Sequence, residues 1–115
     1  MKGLEHYDRQ GKPISFMEAA EKLADDSYRV VGQIASDNGL YWVSTVWVGL
    51  NVGYGPTAHA LGLCIFESVV EHRESGEALE RHRYATEAQA LAGHAALVAK
   101  YNHPYVDVVQ RLTGE

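Results

Sequence analysis

The sequence predicts an α+β domain: a single antiparallel sheet of about four strands, with a short N-terminal helix and a longer C-terminal helix packed on it. Three observations predict it. Helix-opening motifs of the Ser/Thr-x-x-Glu/Gln kind stand toward both ends of the chain, at Ser15 to Glu18 and at Thr86 to Gln89. Between them the apolar residues alternate with a period of about two, as in strands. The alternating runs are separated by turn-forming clusters, Asp37-Asn38-Gly39 and Arg73-Glu74-Ser75-Gly76-Glu77. With 115 residues and 46% hydrophobic content, one core spanning 1–115 as a single domain is expected without disulfides or metal.

Residues 5–14 place Gln10-Gly11-Lys12 between two short extendable segments, the pattern of an edge arm or hairpin. Ser15 opens a helix at Phe16, because its hydroxyl can accept from a free helix amide while Glu18 reaches back. Phe16, Ala19, Ala20, Leu23 and Ala24 form the apolar side of this helix and Glu18, Glu21, Lys22 and Asp25 the polar side. It ends near Asp25-Asp26, whose charges are unfavourable at a helix C-terminus. From Ser27 the period becomes two, with Tyr28, Val30, Gly32 and Ile34 opposite Arg29, Val31, Gln33 and Ala35. Asp37-Asn38-Gly39 then reverses the chain, which returns antiparallel along Leu40 to Leu50. There Tyr41, Val43, Thr45 and Trp47 point one way, and Trp42, Ser44, Val46, Val48 and Leu50 the other. Large apolar groups on both faces predict a central strand, covered above and below.

Residues 51–62 are glycine-rich, contain Pro56 and read as a flexible loop. A third strand is expected over Leu63 to His72, with Cys64, Phe66, Ser68, Val70 and His72 on one face and Leu63, Ile65, Glu67, Val69 and Glu71 on the other. A fourth follows over Ala78 to Tyr84, where Leu79, Arg81 and Arg83 oppose Glu80, His82 and Tyr84. Glu67 or Glu71 is expected to pair with these arginines across strands. Thr86 opens a helix that runs to about Tyr101, before Asn102 and Pro104. Its stripe of Ala88, Leu91, Ala92, Ala95, Val98 and Ala99 is expected to lie on the sheet. Leu97 is then left either exposed or covered by the tail 104–115, in which Tyr105, Val108, Val109 and Leu112 repeat at helical spacing.

The formal charge of −5 and pI of about 5.6 disfavour phosphate-backbone binding, so no nucleic-acid partner is expected. No apolar run reaches the roughly 18 residues of a membrane span, and charge follows Met1 without an apolar leader. A cytoplasmic protein with no membrane partner is expected. Cys64 is the single cysteine and reads as a core residue. His72 and His82 could meet across the Glu74-Ser75-Gly76 reversal, but metal-ligand spacing is absent and both read as surface fillers. His94 reads as a histidine satisfied by a backbone or tyrosine partner. No metal and no cofactor are expected. Ser44, Thr45, Glu67 and His59 are scattered residues of catalytic type without a motif, so catalytic residues are not assigned and an enzyme is disfavoured. Two binding readings stay open. If the loop folds over a pocket, Asn51, Tyr54, Gly55 and His59 are the ligand contacts, and the ligand is a nucleotide or signalling molecule. If helices leave one side of the central strand uncovered, Tyr41, Trp42 and Trp47 belong to an interface, with a homodimer as the expected assembly.

Three segments carry a resemblance: Trp42-Val43-Ser44-Thr45-Val46-Trp47-Val48-Gly49-Leu50-Asn51, Ile65-Phe66-Glu67-Ser68-Val69-Val70, and Arg83-Tyr84-Ala85-Thr86-Glu87-Ala88-Gln89-Ala90-Leu91-Ala92-Gly93-His94. Through them the chain resembles small proteins encoded by actinobacterial phages and prophage-like regions, over roughly Tyr7 to Tyr101. Those proteins carry a shorter Gly/Pro-rich loop and end soon after the last helix, so Tyr105 to Glu115 departs from the pattern. The resemblance implies a phage context and brings no activity or catalytic residue with it; the expectation that follows from the two-faced strand is a phage accessory factor acting on a host protein or on its own kind.

Overall fold

The N-terminal strands β1 (His6–Tyr7) and β2 (Pro13–Ile14) pair as a small antiparallel hairpin in the computed structural model, which describes residues 5–50 and 63–103. Helices α1 (Phe16–Leu23) and α2 (Asp26–Arg29) follow. The strands β3 (Val30–Ala35), β4 (Tyr41–Trp47), β5 (Phe66–His72) and β6 (Ala78–Tyr84) then pair in that order as a four-stranded antiparallel sheet, and α3 (Glu87–Tyr101) packs across it. The α+β class read from the sequence is therefore the class of the fold. Gly39 (φ 75°) and Gly76 (φ 73°) take the left-handed backbone that the two hairpin reversals require. The loop 51–62 and the tail 104–115 lie outside the described residues.

Both anticipated caps open their helices. Ser15 Oγ accepts from the Glu18 amide at 3.1 Å and Thr86 Oγ1 from the Gln89 amide at 3.2 Å, while Gln89 Oε1 accepts from the Ala85 amide. The strand expected from Ser27 starts only at Val30. Asp25 Oδ1 accepts from both the Ser27 amide (3.0 Å) and its hydroxyl (2.6 Å), which caps the single turn of α2 and takes Tyr28 and Arg29 out of the strand. A register shift between Val30 and Gly32 then breaks the simple alternation of β3. Of α1 only Ala19 is buried. Phe16, on its apolar side, is 69% exposed, since α1 leans on α2 and β1 and has no wide face to cover.

The core has two parts. Tyr41, Val43 and Val70 of the sheet meet Leu97 and Tyr101 of α3, and Trp47, Ile65 and Phe66 meet Ala90. The Trp47 end is closed by the N-terminal segment: Trp47 Nε1 donates to the Tyr7 carbonyl at 2.9 Å, and the Tyr28 ring stands edge-on to the indole. Arg9 ties this end together, donating from Nη1 to the Tyr28 carbonyl at 2.9 Å and pairing with Glu87 in the first turn of α3.

Among the described residues a helix packs on one side of the sheet only, and the second cover expected from the sequence is not among them. Tyr41, Val43, Thr45 and Trp47 are buried to 1% exposure or less, whereas Trp42, Ser44 and Val46 keep contact with solvent. The face of α3 is also different from the expected stripe. Ala90, Leu97 and Tyr101 are buried, with Gly93 and His94 between them, while Ala88, Ala92, Ala95 and Ala99 are exposed and Leu91 is 51% exposed. Leu97 is thus buried, among Tyr41, Val43, Val70 and Tyr101, and cover by the tail lies outside the described residues. Alanine gains little by burial, so a row of alanines does not orient a helix; Leu97 and Tyr101 do. Leu97→Ala should cost about 2–5 kcal/mol and Leu91→Ala less than about 0.5 kcal/mol, read from urea unfolding midpoints of the two variants.

Candidate functional site

Two arrangements on the sheet carry the residue types singled out in the sequence, one beneath α3 and one on the opposite face. Beneath α3, Thr45 and Ser68 are directly opposed in the β4–β5 register, which brings their hydroxyl oxygens to 2.5 Å. Tyr84 Oη of β6 donates to Ser68 Oγ at 3.1 Å, and His94 Nδ1 of α3 lies 2.7 Å from Thr45 Oγ1. The partner of His94 is therefore a threonine hydroxyl, not the backbone or tyrosine group expected. The imidazole rests on Gly32, where any Cβ would come within 2.5 Å of Nε2. Burial beneath the helix lowers the His94 pKa from its ordinary value.

Thr45 and His94 have the residue types and spacing of a nucleophile and its base. Yet Thr45 and Ser68 have no exposed surface, so their hydroxyls reach one another and no substrate. What the chain of contacts does chemically is satisfy buried polar groups. The other residues of catalytic type are not gathered here. Ser44 points to the opposite face, where it accepts from Gln33 Nε2 at 3.0 Å, and Glu67 on that face holds Arg81 and Arg83. His59 lies outside the described residues, as do the loop ligand candidates Asn51, Tyr54 and Gly55.

Histidines 72 and 82 do not meet. His72 stands edge-on to Tyr41, with ring centres 5.9 Å apart, while His82 is level with Ser68 and has Nε2 3.0 Å from Glu80 Oε1. Among the described residues no three His, Cys, Asp or Glu side chains gather into a metal-binding group. Cys64 is 1% exposed, in keeping with a core residue.

The second arrangement is the outer face of the sheet. Strand alternation and register set it out as a grid. Ala35, Trp42 and Glu71 form one row, Gln33, Ser44, Val69 and Arg81 the next, and Val46, Glu67 and Arg83 a third. Trp42, Val46 and Val69 are half-buried apolar groups at its middle, and no described element seals them. Beside them Glu67 accepts from Arg81 Nη1 at 2.9 Å and lies 3.3 Å from Arg83 Nε, the cross-strand pairing anticipated for Glu67; Glu71 lies opposite Ala78 instead. Of the three aromatic side chains expected at an interface, Tyr41 and Trp47 are consumed by the chain's own core, and only Trp42 belongs to this face.

A polar cluster that sequence reading missed fastens the far end of α3. Glu80 accepts from Lys100 Nζ at 2.7 Å and from the Tyr101 hydroxyl, with His82 on its other oxygen. Only the register of β6 against α3 brings these groups together, and neither local spacing nor motif signals it. Partial burial by itself would raise the Glu80 carboxyl, but the hydrogen bonds from Lys100, Tyr101 and His82 outweigh it and hold the pKa at about 2. Burial and the Glu80 carboxylate raise the Tyr101 phenol in turn. Because the folded pKa of Glu80 lies below the ordinary 4.5, its contribution is present above that pH and is lost as pH falls toward about 2. Thermal unfolding followed by circular dichroism should show a smaller loss of stability over this acid range in Glu80→Gln than in the unsubstituted protein.

No family model, curated protein or solved structure matches the chain.

Proposed function

We propose that this chain acts by noncatalytic binding, as a small accessory protein of the phage type its sequence resembles, and that it associates with a second copy through the outer face of the sheet. The partly exposed Trp42, Val46 and Val69 support this reading. They sit on the two inner strands, where a sheet is normally best covered, and leaving apolar area wet forfeits about 25 cal/mol per Å². A second copy is favoured as the occupant because a two-fold interface must be self-complementary. This face carries carboxylates at Glu67 and Glu71 and guanidiniums at Arg81 and Arg83 in adjacent strands, so two copies can oppose unlike charges around an apolar centre. No helix among the described residues is long and apolar enough to cross a membrane.

Sedimentation velocity over a concentration series tests the proposal. A dimer is expected, and Trp42→Glu should shift it to monomer by placing a charge at the centre of the contact, with the far-ultraviolet dichroism unchanged. A wild-type monomer at every concentration, or a Trp42→Glu dimer as tight as the wild type, would falsify the assignment.

A further inference from the structure

The chain of hydroxyls beneath α3 permits a proton-by-proton accounting. Each hydroxyl has one proton to donate. Tyr84 donates its proton to Ser68. If Thr45 then donated to Ser68, Ser68 would accept twice and its own proton would be left without an acceptor among the described residues, at a site with no exposed surface. Such an orphaned donor costs about 1–3 kcal/mol. The other direction leaves no hydroxyl orphaned: Tyr84 donates to Ser68, Ser68 to Thr45, and Thr45 to His94 Nδ1. It requires a lone pair at Nδ1, so the ring proton sits on Nε2, over Gly32.

We infer that Tyr84, Ser68, Thr45 and His94 form a one-way hydrogen-bond relay that fixes His94 as its Nε2–H tautomer and makes the seating of α3 on the sheet a proton-sensitive latch. Protonation puts an N–H on Nδ1, facing the hydroxyl that had been donating to it. Thr45 must then turn its proton toward Ser68, which must turn toward Tyr84, which must find a new acceptor. Reversal therefore runs through four groups on three strands and a helix. No described carboxylate offsets the new charge. On the α3 side of the sheet β3 offers no ionisable group, β4 offers Tyr41, β5 offers His72, and β6 offers Glu80, His82 and Tyr84. Glu80 is committed to Lys100, Tyr101 and His82, and Glu87 of α3 to Arg9. The lowered pKa that burial gives His94 acts in the same direction. With the unfolded chain binding this proton more readily than the folded one, α3 is held fully above about pH 6.5 and progressively released below it.

The full-length protein tests this in two steps. Long-range proton–nitrogen NMR at about pH 7.5 should show a single His94 tautomer with a pyridine-type Nδ1, and hydrogen exchange should show protection of the central α3 amides falling by about tenfold or more toward pH 5 while β5 amides change less. His94→Gln, whose side-chain carbonyl still accepts from Thr45, should flatten that response, and Thr45→Val should free the ring to populate both tautomers. A proton on Nδ1 at neutral pH sinks the relay. Equal loss of protection in α3 and β5, or none in either, sinks the latch. Should Thr45→Val fail to fold, the wild-type tautomer and the His94→Gln profile decide by themselves.

Discussion

How closely α3 approaches the sheet governs most of the molecule, and two glycines set that distance. Gly32 in β3 leaves the space that the His94 ring fills, and Gly93 in α3 leaves the space that the Tyr84 ring fills; a Cβ at either position would overlap its neighbour. Each layer thus receives a ring from the other. The reciprocal fit brings His94 within reach of Thr45 and Tyr84 within reach of Ser68, so the polar chain is a product of the close packing as well as a support for it. On either side of it the apolar residues divide into the two parts of the core, one under Leu97 and Tyr101 and one under Ala90.

This construction leaves an asymmetric sheet. With α3 over one face and the N-terminal segment closing the Trp47 end, every large buried side chain of β4 lies on the same side. The outer face keeps Trp42, Val46 and Val69 beside a compact set of ion pairs. Pairs of that exposed kind contribute about 0–1 kcal/mol to folding, so their placement beside an apolar strip bears more on what the face meets than on the stability of the chain. The two sides of the sheet accordingly differ: one holds the fold together through satisfied hydroxyls, and the other is the face proposed for association.

Much of the secondary structure was legible because it is decided locally. A serine or threonine hydroxyl bonds an amide three residues away, Gly39 and Gly76 relieve the backbone where the chain reverses, and alternation along β4 and β5 separates buried from half-buried residues correctly. Two failures have recognisable signals in the sequence. Asp25 captures the Ser27 amide and hydroxyl and winds one turn of helix where a period-two pattern was apparent. Alanines at Ala88, Ala92, Ala95 and Ala99 imitate a helix face without enough apolar surface to command one.

The sequence by itself determined the helix starts after Ser15 and Thr86 and the reversals at Gly39 and Gly76, and hence the α+β class, since those choices depend on neighbours a few residues away along the chain. Only the tertiary structure decided which face of α3 meets the sheet, which side of β4 stays wet, and that Thr45, Ser68, Tyr84 and His94 touch. These depend on contacts between residues far apart in sequence, such as Thr45 with His94 and Glu80 with Lys100, and on whether a glycine stands opposite a ring. The volume available at one point of the fold is set by several segments at once, and no single segment carries a record of it.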